Sequence, residues 1–132
     1  MGVRVTGLDQ VDELPDATVV VRFGYLIYDD FSFSILSEFA INGRYGLSVS
    51  YGVGVTAAAL VKKRRLPHSV YRATSAGILR QAGREVVATD DKHALIMYST
   101  EPTVEDWVQL DGILSKALQN PYANSRGRRR SR

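Results

Sequence analysis

Tyr45-Gly46-Leu47-Ser48-Val49-Ser50-Tyr51 sets a large apolar or aromatic side chain at every second position, with glycine or serine between. A period of two belongs to a strand buried on one face, because successive side chains of an extended chain point to opposite sides. Asn42-Gly43 just before it is a turn dipeptide that tolerates positive φ, so a hairpin is the natural reading. Further upstream, Phe31-Ser32-Phe33-Ser34-Ile35 alternates in the same way and favours another half-buried strand, although Leu36 to Ile41 could make a helical turn. Thr18-Val19-Val20-Val21-Arg22-Phe23 is rich in β-branched residues without alternation, the pattern of a core strand covered on both faces. Before it, Asp9, Asp12, Glu13 and Asp16 make an acidic lead-in.

Downstream of Tyr51 the pattern changes. Gly52 and Gly54 break the strand, and Thr56 can cap a helix through Ala57 to Arg65 that Pro67 stops. Its last turn is Lys62-Lys63-Arg64-Arg65, where the negative end of the helix dipole favours cations without any ligand. Ser69 to Thr74 reads as a strand, and Ser75 to Gln81 as a short helix closed by Gly83. Glu85 to Thr89 and Ala94 to Tyr98 read as an antiparallel pair joined by the turn Asp90-Asp91-Lys92. Thr103 precedes Val104-Glu105-Asp106 as a good N-cap, and Trp107, Leu110, Ile113, Leu114, Ala117 and Leu118 recur at helical steps. The expected fold is therefore one α+β domain. It has a mainly antiparallel, curved sheet of five to seven strands, a short helix near 56–66 and an amphipathic C-terminal helix near 103–119. Residues 1–121 form the compact part and 122–132 a flexible Arg-rich tail.

With 132 residues, 45% hydrophobic and 23% charged, the chain has the composition of one globular domain. The absence of cysteine removes disulfide frameworks, thiolate zinc sites, iron–sulfur clusters and cysteine nucleophiles. No run approaches the ~18 apolar residues of a membrane span, and the N-terminus lacks the apolar stretch of a secretory signal, so a cytoplasmic protein without membrane contact is expected.

The net charge of +3 conceals an asymmetry. Arg126, Arg128, Arg129, Arg130 and Arg132 lie in the last seven residues, while residues 1–125 hold 12 basic and 14 acidic side chains. Clustered guanidiniums displace counterions from a phosphate backbone whatever its sequence. The expected binding residues are thus these five arginines together with Lys62, Lys63, Arg64 and Arg65.

Signs of catalysis are sparse. His93 follows Asp90 and Asp91, a grouping of possible metal ligands, though adjacent aspartates more often serve a turn. Gly52-Val53-Gly54 ahead of the Thr56 helix could offer N–H groups to an anion but lacks a Walker lysine. Arg22, Ser48 or Ser50, and Glu85 occur in an order that resembles the Arg–Ser–Glu order of mono-ADP-ribosyltransferases. There an arginine holds a dinucleotide phosphate and a glutamate orients the ribose. Ser48 lacks the Ser-Thr-Ser context of those enzymes, and no family is identified from the likeness. The sequence calls for no cofactor, no resident metal and no catalytic residue. The expectation is a small non-enzymatic accessory protein whose basic tail contacts nucleic acid or an acidic protein surface. A small ADP-ribosyltransferase-like or metal-dependent toxin and a structural subunit of a homo-oligomer are the alternatives.

Overall fold

The computed structural model of the protein describes residues 13–123. In chain order it contains β1 (Val19–Phe23), α1 (Tyr28–Asn42), β2 (Tyr45–Gly52), α2 (Ala57–Arg64), β3 (Val70–Ser75), α3 (Ala76–Gln81), β4 (Val86–Ala88), β5 (His93–Tyr98), α4 (Val104–Ile113) and β6 (Leu118–Gln119). The six strands form one open antiparallel sheet in the order β4-β5-β2-β1-β3-β6. The α+β class and the strand count agree with the sequence reading.

Register explains how the core divides. Val20 pairs with Tyr51, Val49 with Ala94 and Leu47 with Ile96, so these side chains share one face. They bury against Phe31 and Ile35 of α1, Leu79 of α3, and Leu110 and Leu114 around α4. Val21, one residue on, points to the opposite face and packs with Tyr71 and with Leu60 and Val61 of α2. Val20 and Val21 are both fully buried, which is why β1 carries an unbroken apolar run instead of an alternation.

Three helix starts are fixed by hydroxyl caps: Thr56 accepts from Ala59 N, Ser75 from Ile78 N and Thr103 from Asp106 N. Thr56 and Thr103 are the caps the sequence marked, and Ser75 is the residue at which it began a short helix. The hairpin of β4 with β5 also stands where it was expected.

Two expectations need correction. Residues 31–35 are not a strand but the middle of α1, whose buried residues are Phe31 and Ile35, one helical turn apart. The apparent alternation arises because Phe33 lies on the opposite, exposed side of the same helix. Asn42-Gly43 accordingly ends a helix. Gly43 adopts φ 73° and its N–H donates to the Phe39 carbonyl, the left-handed closure glycine favours, and no hairpin turn forms there.

The C-terminal helix is also shorter than 103–119, because α4 stops at Ile113. Leu118 belongs to the cluster around α2 on the other face of the sheet. A helix lying on the α1 face cannot deliver that side chain, so the chain crosses the sheet edge in extended form and adds β6 beside β3. Tyr122 packs against the α2 cluster as well, so the compact body extends at least to this residue.

Candidate functional site

The two faces of the sheet hold their cations differently. On the side covered by α1, α3 and α4, arginines meet carboxylates. Arg44 pairs with Glu38 at 2.7 Å, Arg72 with Asp111 at 2.6 Å, Arg80 with Asp16 at 2.7 Å and Arg84 with Asp106 at 2.6 Å. Lys62, Lys63, Arg64, Arg65 and Lys92, around the end of α2 and the turn before β5, have no carboxylate partner among the described residues.

Helical periodicity separates the four cations of α2. Leu60 and Val61 anchor the helix on the sheet, and Arg64 follows them by four and three residues, so it lies on the inner side. Lys62, Lys63 and Arg65 are exposed. Arg65 ends the helix with φ 48°, and its guanidinium sits 5.0 Å from the centre of the Tyr122 ring. Asn120 ties the C-terminal segment to the same place by donating to the carbonyls of Leu66 at 2.9 Å and His68 at 2.8 Å. The described chain therefore ends at Ala123 beside the basic end of α2. Arg126, Arg128, Arg129, Arg130 and Arg132 lie outside the described residues.

Arg64 reaches across to β5, where His93 is held from both sides. Asp90 accepts from the N–H groups of Lys92 and His93, each at 2.7 Å, and its carboxylate meets His93 Nδ1 at 2.8 Å. That contact places the proton on Nδ1, and Arg64 Nη2 then donates to Nε2 across 3.2 Å. Burial opposes ionisation of Asp90, but the hydrogen bonds from Lys92 and from the ring and N–H of His93 outweigh it and hold the carboxyl below its ordinary range. Asp90 is occupied by this turn, and among the described residues no group of three His, Cys, Asp or Glu could hold a metal ion. Nearby, the Tyr51 hydroxyl donates to the Asp90 carbonyl at 2.8 Å. Burial, with the charges of Asp90 and Asp91, pushes this phenol up.

Two openings flank Arg64. One is a hollow of about 510 Å³ lined by Tyr51, Val53, Val55 and Leu60, with Lys63, Arg64 and Lys92 among its polar residues. The other is a cleft of about 210 Å³ over the seam between β1 and β2, bordered by Arg22, Ser48, Ser50, Arg64, His68 and His93. The seam exists because β1 and β2 stay paired only as far as Val21 opposite Ser50. Arg22 occupies the parting, donating to the Ser48 carbonyl at 2.6 Å and to Ser34 Oγ of α1 at 3.0 Å. Burial lowers the pKa of this guanidinium, against the opposing pull of Asp30.

Neither a family model, nor a curated protein, nor a solved structure matches this chain. The residues themselves must supply the functional reading. Of the Arg–Ser–Glu set, Arg22 and Ser48 are brought together, but Glu85 is not. Its carbonyl accepts from Met97 N beside β4, and β5 and β2 separate β4 from β1. At ~4.8 Å per strand this sets Glu85 more than about 10 Å from Arg22. Arg64, which the sequence grouped with its neighbours as a surface cation, is the residue joining the two openings. Its spacing from Leu60 and Val61 was the available signal.

Proposed function

We propose that the protein binds nucleic acid through its phosphates, using Lys62, Lys63, Arg65 and Lys92 as a platform and the adjoining arginines 126, 128, 129, 130 and 132 as an arm. The observation that supports this is the contrast in pairing. Arg44, Arg72, Arg80 and Arg84 are matched by carboxylates, whereas the cations at the α2 end are unmatched among the described residues. The arm follows from a chain position next to Arg65, so both sets of charge can address one polyanion. Contacts of this kind recognise the backbone and not the bases, and they weaken as salt competes for the phosphates. No catalytic step is part of this reading.

The test is fluorescence anisotropy with generic single- and double-stranded DNA and RNA over a range of salt. Changing Lys62, Lys63 and Arg65 together to Gln should flatten the slope of log K against log salt by about 2, given ~0.7–0.9 per phosphate contact. Changing the five tail arginines to Gln should flatten it further. Binding that ignores salt, or survives both sets of changes, overturns the proposal.

A second reading, self-association, is favoured by α1. Phe33 is 74% and Ile41 78% exposed, with Leu36 exposed on the same helix. An apolar helix face of this kind is a common feature of contacts between identical chains. Light scattering of the protein and of a Phe33→Asp, Ile41→Asp variant decides it, a monomer in both ruling it out.

A further inference from the structure

We infer that the cleft between β1, β2 and α2 is a dedicated site for one phosphoryl group, separate from the outer platform. Three donors there have no anion to satisfy them. Arg22 donates only to neutral acceptors, the Ser48 carbonyl and the Ser34 hydroxyl, and Asp30 attracts its half-buried guanidinium without forming an ion pair with it. Arg64 Nε is buried with no hydrogen-bond partner. Ser50 is only 5% exposed, borders the cleft, and its hydroxyl has no hydrogen bond among the described residues. Buried polar groups are normally satisfied, and a guanidinium withdrawn from water normally has an acid beside it. No Asp or Glu borders this cleft.

A ligand in the cleft that accepts from Arg22, Ser50 and the guanidinium of Arg64 would be an oxyanion. The donors come from β1, β2 and α2, with His93 on β5 as a fourth neighbour, so they call for oxygens pointing in several directions. A tetrahedral phosphoryl group has them, whereas a carboxylate offers two in one plane. Guanidinium forks are suited to it. The volume of about 210 Å³ lies below the ~300–1,000 Å³ of sites that enclose whole drug-sized ligands, so the cleft takes the phosphoryl end and leaves the rest of the molecule outside. That group is either the terminal phosphate of a nucleic acid or a free phosphate.

The decisive experiment titrates the full chain with inorganic phosphate and follows the His93 ring signals by NMR. Saturable binding is expected. Arg64→Gln should weaken it about tenfold and Ser50→Ala by about threefold, as for lost hydrogen bonds to an ionised acceptor. The triple Lys62, Lys63, Arg65 to Gln variant should leave it unchanged while losing polynucleotide affinity, so the failure of one site is distinguishable from failure of the other. Comparing 5′-phosphorylated with 5′-hydroxyl oligonucleotides assigns the source. Tighter binding of the phosphorylated form that disappears in Arg64→Gln places a nucleic-acid end in the cleft, and equal binding leaves free phosphate as its ligand. Phosphate binding that never saturates, or that is equal in wild type and Arg64→Gln with both folded by circular dichroism, overturns the inference.

Discussion

The face of the sheet under α1, α3 and α4 and the face under α2 are built from the same strands yet hold their charges differently. Beneath three helices, Phe31, Ile35, Leu79 and Leu110 fill the space, and the arginines around that core work as braces. Arg72 grips both the Asp111 carboxylate and its carbonyl and reaches the Ser115 carbonyl, tying β3 to the end of α4. Arg84 joins Asp106 and Gln109 of α4 and lies 4.3 Å over the Tyr98 ring. Burial pushes the Tyr98 phenol up to about 12, partly opposed by Arg84. The α2 helix is only 8 residues long and covers part of its face. There the cations form no ion pair with a carboxylate among the described residues, and a cleft stays open. The contrast teaches that a cation's role depends on what surrounds it: the same residue type is a strut where carboxylates meet it and lacks an ion-pair partner where they do not.

The largest effect tests the covered face. Phe31→Ala should cost about 3–5 kcal/mol in urea denaturation, since it empties a fully buried site between α1 and the sheet. The molecules that remain folded should bind nucleic acid normally.

A smaller and more pointed comparison sets two arginines against each other. Arg72→Ala removes three hydrogen bonds and strands the acceptors of α4, an expected loss of about 1.5–3 kcal/mol. Arg64→Ala should cost less than about 1 kcal/mol, because its one polar partner is His93. Equal losses in denaturant midpoints would erase the distinction between brace and binding residue.

The smallest effect is a pH dependence at Asp90. Its carboxyl titrates below the ordinary value of 3.8, so the native state binds that proton less readily than the unfolded chain. The stabilisation is fully present above the unfolded value and is lost as the pH falls through the folded one. Asp90→Asn should therefore lower the melting temperature near neutrality, and the gap from wild type should close in strong acid. A gap that persists at the acid end would remove the charged turn from this account.

Much of this division is visible in the primary structure. The hydroxyl caps at Thr56 and Thr103, the glycine breaks after Tyr51 and the hairpin on either side of Asp90-Asp91-Lys92 are local signals, each acting within a few residues. The Phe31–Ile35 segment misled because its apolar residues serve two sides of one helix, and an outward phenylalanine at position 33 imitates a strand's alternation. At Leu118 the helical spacing broke down because β3 offered an unpaired edge and α2 an apolar surface, neither of them nearby in sequence. The basic run of α2 was legible, but its separation into an outward Lys62, Lys63 and Arg65 and an inward Arg64 required knowing which helix face meets the sheet.

Composition and local pattern by themselves determined an α+β chain without cysteine chemistry, the caps of two helices, and the concentration of positive charge at α2 and near residue 130. Only the tertiary structure decided that Arg22, Ser50, Arg64 and His93 would border a single cleft, and which cations would be neutralised. Strand order, register and the parting of β1 from β2 bring together residues up to 71 positions apart in the chain. Side-chain charge is a property of one residue, whereas its compensation is a property of its neighbours in space.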